Sequence, residues 1–254
     1  FAAEALLRWR RPGMRATSCS EFITVAEESG LIVPIGLWVL REACSELMRW
    51  RANGRPDMRI AVNFSARQFF QPRFHETVMQ VLSEVGLPPD ALELEITESL
   101  LVQNNEENVS LLKQLSATGV QLSLDDFGTG YSSLSYLQRF PIDALKIDRT
   151  FVNGIDHDEN QTAIVTAIIA MAHSLRLKVI AEGVESRSQA AFLKEHGCIT
   201  VQGYFYSEPV PASDFNRLLH EKPYTVGDLI AMPVDVVFGR GGSGVQFQES
   251  IERH

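Results

Sequence analysis

The stretch EENVSLLKQLSATGVQLSLDDFG, Glu106–Gly128, contains one unit of the repeat that decides the fold. Its first part, Glu106–Thr118, has the apolar periodicity of a helix, and the short apolar run that follows, Gln121–Asp125, is typical of a buried strand. Comparable units recur along the chain. We predict further strands at Ala5–Trp9, Arg59–Asn63, Leu92–Ile96, Ala144–Asp148, Lys178–Glu182 and Thr200–Gly203, and further helices at Pro34–Arg51, His75–Val85, Glu159–Leu175 and Ser188–His196.

Strands that alternate with helices predict a parallel sheet covered by helices, which is an α/β fold. The seven predicted strands are one fewer than a closed eight-stranded barrel requires. We therefore expect a barrel whose missing strand precedes Phe1 or is replaced by another segment. An open, doubly wound sheet is the competing architecture, but the glycine-rich phosphate turn that often follows its first strand is absent from the sequence.

The segment after about Tyr224 does not continue the repeat. We expect the barrel to occupy residues 1–223 and residues 224–254 to form a C-terminal tail. Within the tail, the sequence GRGGSG, Gly239–Gly244, is typical of a flexible linker. The sequence VDVVF, Val234–Phe238, could add an edge strand, although a mostly mobile tail is the simpler expectation.

Length, charge and cysteine content exclude several classes of protein. A chain of 254 residues can bury one large core, and its net charge of −9 disfavours binding to long nucleic acids. The three cysteines are far apart, which indicates neither a disulfide framework nor a zinc site. The longest apolar run, Ile164–Ala172, is too short to span a bilayer, and no secretion signal is recognisable. We expect no membrane contact from this segment, and a cytoplasmic location, alone or within a larger, even membrane-anchored, protein.

Polar side chains recur at the carboxyl ends of the predicted strands, where the active sites of parallel barrels lie. They are Asn63, Glu95, Asp125, Asp126, Lys146, Glu182 and Gln202, and Glu4 belongs to the first strand. One buried acid is often a structural residue. Five carboxylates that converge on one mouth would repel one another and destabilise the fold unless cations keep them ionised.

The ligand chemistry favours Mg²⁺ or Mn²⁺. Carboxylate and amide oxygens are hard donors, and neither histidine nor cysteine occurs at a predicted strand end. Asp125 could bridge two ions about 4 Å apart while Asp126 holds the second ion. Two-metal centres chiefly hydrolyse phosphate esters, so the sequence predicts hydrolysis of a phosphate ester.

Two cationic side chains and a second reaction class leave alternatives open. Lys146 could orient the attacking water or offset negative charge, or it could pair with Asp148 or another acid. Arg8 lies two residues after Leu6 and on the same face of the strand as Glu4, so it could reach a substrate phosphate or be a surface residue.

An enolase-like barrel would also use a lysine and Mg²⁺, but it requires a capping domain for which this chain has no room.

The chain resembles the EAL-domain phosphodiesterases, which linearise the bacterial second messenger cyclic di-GMP to pGpG. The resemblance covers about Glu4 to Phe215 and depends on EALLRW, FITVAEESGLI, AVNFSARQF, LELEITES, DDFGTGYSSLSYL, LKID, VIAEGVE and VQGYFYSEPV. It implies a modified TIM (β/α)8 barrel whose first strand runs antiparallel to the others. That strand would precede Phe1.

The resemblance also implies roles for individual residues. Glu4, Asn63, Glu95 and Asp125 resemble ligands of one metal ion, Asp125 and Asp126 serve the second, and Glu182 completes the cluster, partly through water. Lys146 is similar to the lysine that contacts the catalytic water, and Gln202 to the amide that helps to hold it. Arg8 and Leu6 resemble contacts of the substrate.

The sequence FGTGYSSL, Phe127–Leu134, resembles the family loop that couples metal binding to the dimer interface, and Glu185 is similar to the acid that anchors this loop. Gly128 and Gly130 allow the backbone angles that a switching loop needs. The resemblance therefore implies an active homodimeric enzyme, with a catalytically inactive cyclic di-GMP receptor as the alternative. Family members often carry sensory, receiver or GGDEF domains, which would lie outside this chain.

Overall fold

A computed structural model describes residues 2–9, 19–98, 100, 106–129, 137–221, 229–230 and 232–238. The strands among them are β1 (Ala2–Trp9), β2 (Arg59–Phe64), β3 (Leu92–Thr97), β4 (Gln121–Phe127), β5 (Ala144–Ile147), β6 (Lys178–Ala181), β7 (Thr200–Val201), β8 (Val210–Pro211), β9 (Leu229–Ile230) and β10 (Met232–Phe238). The α-helices are Cys19–Ser29, Ile32–Ala52, Ala66–Phe69, Phe74–Val85, Glu106–Ala117, Arg149–Asn153, Glu159–Ser174, Arg187–Glu195 and Ala212–Glu221.

The strands form one curled sheet in which β1 to β7 are neighbours in chain order. Every pairing between the described strands is parallel. The predicted α/β architecture is therefore confirmed, and the open sheet with a rearranged strand order is not found. The antiparallel strand that the family resemblance implies is not among the described residues.

The C-terminal segment adds strands at both edges of the sheet formed by β1 to β7. β9 pairs with β7, matching Thr200 with Leu229. β10, which begins two residues after β9, pairs with β1 from Ala3 to Trp9. The expectation of a mobile tail is therefore wrong for residues 229–230 and 232–238. The physical reason is that the unpaired edge of β1 offers a row of backbone donors and acceptors, which a valine-rich segment is suited to pair with.

The two faces of the sheet differ in polarity. Leu92, Leu94 and Ile96 alternate along β3 with Glu93 and Glu95, and all five are buried. Since successive side chains of a strand point to opposite faces, the leucines and the isoleucine pack on one face of the sheet and the glutamates lie on the other. The apolar face meets the surrounding helices, which leaves the polar face to line the inside of the curled sheet.

Helices cover the apolar face of the sheet, and two of them begin at side chains that accept hydrogen bonds from the first turn. Asp158 begins the helix Glu159–Ser174 by accepting a hydrogen bond from the amide of Asn160, over 2.8 Å. Ser186 begins the helix Arg187–Glu195 by accepting one from the amide of Gln189, over 3.1 Å. Four helices that the sequence analysis did not predict are Cys19–Ser29, Ala66–Phe69, Arg149–Asn153 and Ala212–Glu221. Among the described residues, no helix combines the length and the apolarity needed to cross a bilayer.

Candidate metal centre

Lys146, on β5, lies at the centre of the polar cluster, and its side chain is only 1% exposed. Its ammonium nitrogen Nζ is 2.6 Å from Glu95 Oε1 and 2.6 Å from Glu182 Oε1. The distances to Asp125 Oδ1 and Glu4 Oε2 are 3.5 Å and 3.6 Å. These carboxylates come from four different strands or their ends, so the predicted convergence of acids at the barrel mouth is present in the structure.

The attraction between Lys146 and its neighbours is mainly Coulombic. The short distances place Nζ among four carboxylates, whose charges act on it together. The alternative that Lys146 pairs with Asp148 or another acid is correct for another acid, since Glu95 and Glu182 are its nearest partners, and wrong for Asp148. The Asp148 carboxylate accepts a hydrogen bond from the amide of Thr150 over 2.9 Å and thereby begins the helix Arg149–Asn153.

Two amide side chains fix the carboxylate of Glu4. Asn63 Nδ2 donates to Glu4 Oε1 over 2.8 Å, and Gln202 Nε2 donates to Glu4 Oε2 over 2.7 Å. Burial raises the pKa of Glu4, but the charge of Lys146 and the two amide hydrogen bonds outweigh burial, so the pKa lies below its ordinary value. Glu4 is therefore a carboxylate that the protein holds ionised and oriented.

Asp125 and Asp126 are neighbours in sequence, and a regular strand would point them to opposite faces. The backbone of Asp126 has a left-handed φ of 54°, and the register between β4 and β5 shifts between Leu124 and Phe127. This irregularity brings one carboxylate oxygen each from Asp125, Asp126 and Glu182 within 4.8 Å of one another. A backbone conformation that is uncommon outside glycine thus serves to place two adjacent acids at one site.

The negative charge of the cluster exceeds what one ammonium can balance. Burial, followed by the charge of Glu4, raises the pKa of Glu95 well above its ordinary value. Burial raises the pKa of Glu182 to about 8, even though Lys146 opposes the shift. Burial and the charge of Asp125 raise the pKa of Asp126 to about 6. Burial disfavours the charged form of Lys146, but the surrounding carboxylates, chiefly Glu182, raise its pKa well above the ordinary value.

Several buried oxygen atoms of the site have no hydrogen-bond partner among the described residues. They include Glu95 Oε2, Gln202 Oε1 and the hydroxyl of Ser123. Buried polar atoms without a partner are rare in native proteins, because each loses its hydration without compensation. A group of unpartnered acceptors beside an excess of negative charge is suited to a cation.

Three other predicted site residues, Arg8, Leu6 and Glu185, are not among the described contacts of Lys146. Arg8 and Leu6 follow Glu4 on β1 and are half-buried, and Arg8 Nη1 donates to the carbonyl of Leu7 over 3.2 Å. Glu185 is exposed, and its amide donates to Gln189 Oε1 over 2.8 Å. Part of the loop that Glu185 is predicted to anchor, residues 130–136, lies outside the described residues, so this role stays a prediction.

The glycine in the first part of that loop has the predicted conformation. The φ of Gly128 is +99°, and a Cβ added there would lie 2.9 Å from Cε2 of Phe151. A larger residue would therefore meet both backbone strain and a clash at this position. Gly130 lies outside the described residues.

Sequence reasoning missed Glu98, one residue after β3. It is buried, and neither of its carboxylate oxygens has a hydrogen-bond partner among the described residues. The sequence LELEITES contains it three residues after Glu95. On a regular strand that spacing points the two side chains to opposite faces, and Glu98 is not among the carboxylates that surround Lys146.

Comparisons with known proteins identify relatives of the chain. A family model described as "EAL domain" matches residues 1–209. The "Bifunctional diguanylate cyclase/cyclic di-GMP phosphodiesterase MucR" of Pseudomonas aeruginosa is 47% identical over 212 residues, covering 84% of this chain and 31% of its own length. The "Cyclic di-GMP phosphodiesterase PdeR" of Escherichia coli is 45% identical over 214 residues, covering 84% and 32%. The chain thus spans about a third of the length of these curated relatives.

Solved structures agree with the sequence relatives. A structure described as "PaMucR Phosphodiesterase, c-di-GMP complex" superimposes with a TM-score of 0.79 at 45% identity, covering 82% of this chain and 84% of that chain. A "Klebsiella pneumoniae BlrP1 pH 8.0 calcium/cy-diGMP complex" matches with a TM-score of 0.66 at 30% identity, covering 75% and 48%. The barrel-like architecture and the resemblance inferred from the motifs are therefore confirmed.

Proposed function

Because the chain belongs to the EAL domain family, we propose that it is a cyclic-guanylate-specific phosphodiesterase that hydrolyses cyclic di-GMP to linear pGpG. The observation that carries this proposal is the convergence of four carboxylates on Lys146, with unpartnered oxygens of Glu95 and Gln202 beside them. The names of the relatives MucR and PdeR support the reaction. The PaMucR complex with c-di-GMP supports the identity of the substrate.

The residues of the site fit two divalent cations. All the candidate donors are carboxylate or amide oxygens, which Mg²⁺ and Mn²⁺ prefer. We assign one ion to Glu4, Asn63, Glu95 and Asp125, and the other to Asp125, Asp126 and Glu182. When bound, such a pair of ions would lower the pKa of the attacking water and stabilise charge on the phosphoryl oxygens.

The remaining residues of the site would orient the reactants. Lys146 is a buried donor beside Glu182 and would hold the attacking water in place while offsetting negative charge. Gln202 fixes Glu4 through Nε2, and its unpartnered Oε1 would accept a hydrogen bond from that water. Arg8, on the same strand as Glu4, would bind a phosphate of the substrate, and Leu6 would contact the substrate beside it.

The arrangement of this domain in a larger assembly is also a proposal. We assign a homodimer interface to the Phe127–Leu134 loop region, with Glu185 as the acid that anchors the loop. The matched relatives are about three times as long as the matched region, which supports fused domains such as sensory or GGDEF modules. A domain that lowers the level of a cytoplasmic second messenger would act in the cytoplasm.

Turnover of the nucleotide tests the proposal directly. The protein is incubated with cyclic di-GMP in Mg²⁺, Mn²⁺, Ca²⁺ or EDTA, and the products are separated by chromatography. We expect pGpG with Mg²⁺ or Mn²⁺, little with Ca²⁺ because its coordination geometry is looser, and none in EDTA. Asp125→Asn should abolish turnover. Glu93→Gln, which alters a buried acid on the same sheet that makes no contact with Lys146, should leave turnover unchanged.

A second outcome would support the inactive receptor instead. Folded protein that binds cyclic di-GMP in a calorimeter, yet produces no pGpG in any metal, would refute hydrolysis and retain the family ligand. Substitutions at Lys146 or Glu4 would then leave nucleotide binding unaltered.

A further inference from the structure

Two aromatic side chains, Tyr204 and Phe205, are exposed on the loop that follows β7, at the carboxyl end of the barrel. We infer that the Tyr204 ring is a stacking platform for one guanine base of the substrate and contributes to the selection of nucleotides. The inference rests on the proposed function, because it takes the phosphate of the nucleotide to bind at the metal centre. It adds a specificity-determining residue to the acids and amides around the reacting phosphate.

The exposure of this aromatic pair sets it apart from the rest of the surface. Tyr204 is 63% exposed and Phe205 is 43% exposed. The exposed large apolar side chains that the structure describes are Val25, Leu31, Ile164, Ile199, Tyr204 and Phe205. Only the last two are aromatic, and only they are adjacent in sequence. The Tyr204 side chain has neither a hydrogen bond nor a ring contact with another described residue, so its ring is available to a ligand.

Backbone hydrogen bonds hold this loop against the segment that carries Glu182. The amide of Val184 donates to the carbonyl of Gln202 over 2.9 Å, and the amide of Phe205 donates to the carbonyl of Val184 over 3.0 Å. Tyr204 therefore lies between two anchored residues, and its anchor Val184 is two residues from Glu182. A platform that is ordered before the ligand arrives loses little conformational entropy on binding.

The loop lies within reach of a nucleotide bound at the metal centre. Gln202 is two residues before Tyr204, so their Cα atoms are at most about 7 Å apart. Gln202 Nε2 is 2.7 Å from Glu4 Oε2 in the centre. In cyclic di-GMP one ribose joins each base to the phosphate groups, so a phosphate held beside Glu4 places a base one sugar away.

The chemistry of the base matches the aromatic ring and not the metal centre. The side chains that surround Lys146 are carboxylates, which offer no apolar surface to a purine. The flat face of a tyrosine ring stacks on the flat face of a base. The polar cluster is therefore suited to the phosphate and Tyr204 to the base.

Removing the ring should weaken nucleotide binding and leave the chemical step unchanged. Stacking of one base on an aromatic side chain is worth a factor of roughly 5 to 150 in affinity, so Tyr204→Ala should raise the KM for cyclic di-GMP by that factor. Its kcat should stay at the wild-type value, because the ring contacts the base and not the reacting atoms. Tyr204→Trp keeps a flat aromatic face and should retain the wild-type KM, whereas Tyr204→Leu should bind more weakly than wild type.

The experiment measures catalysis and binding separately. KM and kcat are obtained from pGpG release in Mn²⁺, and the Kd for cyclic di-GMP is obtained by calorimetry in Ca²⁺, in which we expect little turnover. Ile199→Ala is the matched control, because Ile199 is 58% exposed and directly precedes β7, at the opposite end of the same strand. It should leave KM, kcat and Kd unchanged. Tyr204→Ala should melt at the wild-type temperature, since an exposed side chain contributes little to stability.

The results separate this inference from the proposed function. If wild-type protein hydrolyses cyclic di-GMP and Tyr204→Ala has an unchanged KM and Kd, the inference is overturned and the function stands. A fall in kcat at unchanged KM would overturn it as well, and so would wild-type affinity in Tyr204→Leu, which would show that stacking is not needed. If wild-type protein binds the nucleotide without turnover, a larger Kd for Tyr204→Ala would still support the platform. Wild-type protein that neither binds nor hydrolyses the nucleotide would overturn both.

Discussion

Neutralising Glu95 should stabilise the metal-free protein while it abolishes metal binding. Glu95 is 3% exposed, and its Oε2 has no hydrogen-bond partner among the described residues. The Glu95→Gln substitution keeps the shape of the side chain and removes one negative charge. Its new amide group would face acceptor oxygens of neighbouring acids, so the polar replacement does not create an unsatisfied donor.

The magnitude follows from the distances around Lys146. At an effective dielectric constant of about 20, the attraction of Glu95 to Nζ across 2.6 Å amounts to about 6 kcal/mol. The other three carboxylates also lie within 3.6 Å of Nζ, so their oxygens are no more than about 6 Å from Glu95 Oε1. At about pH 8.5, the pH of the melting experiment, Glu182 is also mostly ionised, so each of the three repels Glu95 by about 3 kcal/mol or more, and together they exceed the attraction.

Burial adds to this excess, because an ionised carboxylate loses hydration at this depth. Partial protonation of Glu95 already relieves part of the repulsion, since its pKa is raised well above the ordinary value. We therefore expect Glu95→Gln to gain about 1 to 4 kcal/mol in free energy of unfolding. This gain corresponds to a rise in melting temperature of roughly 2 to 10 °C in EDTA.

Calorimetry tests both halves of this prediction. Melting is followed by differential scanning calorimetry in EDTA, and Mn²⁺ binding is followed by titration. Glu93→Gln is the control, since Glu93 is buried on the same strand and the same face but lies outside the four carboxylates around Lys146. It should not change Mn²⁺ affinity. A lower melting temperature for Glu95→Gln in EDTA would show that the Lys146 contact outweighs the repulsion and would refute the reasoning.

Three further predictions concern protonation, a hydrogen bond and a close backbone contact. Burial raises the pKa of Glu182 from 4.5 to about 8. Between these pH values the folded protein without metal retains a proton that the unfolded chain releases. The contribution of Glu182 to the free energy of unfolding should therefore fall as the pH rises from about 4.5 to about 8. The same deprotonation should tighten Mn²⁺ binding roughly 50-fold between about pH 6 and about pH 8, measured by titration. Asn63→Ala removes a 2.8 Å hydrogen bond to the Glu4 carboxylate and should lower the free energy of unfolding, measured in urea, by about 1.5 to 3 kcal/mol. An unchanged urea midpoint would contradict the anchoring of Glu4 by Asn63. Gly203→Ala would place a Cβ 2.2 Å from the backbone nitrogen and oxygen of Val184 and should lower the free energy of unfolding in urea by at least about 2 kcal/mol.

The strand-end acids were predictable from the sequence because their positions follow from a simple rule. Once Leu92–Ile96 and Lys178–Glu182 are recognised as parallel strands, their carboxyl ends must lie at one edge of the sheet. If the sheet also curls into a barrel, these ends converge on one mouth, and Glu95 and Glu182 both lie 2.6 Å from Lys146. The prediction required no knowledge of side-chain conformations.

Features that depend on local departures from regular geometry were not predictable in this way. Alternation along a strand predicts opposite faces for Asp125 and Asp126, and only the left-handed backbone at Asp126 and the shift in register bring both to the site. The pairing of Met232–Phe238 with β1 depends on which of several valine-rich segments reaches an open edge. Propensity makes such a segment a candidate strand but does not choose its partner.

The structure also changes the physical argument for the metal site. The sequence predicted that clustered acids require metal ions in order to be tolerated, but the chain itself supplies one cation, Lys146, among them. One ammonium is not sufficient, because the pKa of Glu95 and that of Glu182 remain raised beside it. The cluster is thus more negative than its own ammonium can balance, and it is not at its electrostatic optimum. Lys146→Met and Glu95→Gln should therefore shift the metal-free melting temperature in opposite directions, since one removes a positive charge and the other a negative charge from the same buried volume. A shift of the same sign in both variants would indicate that packing, and not charge balance, governs the cluster.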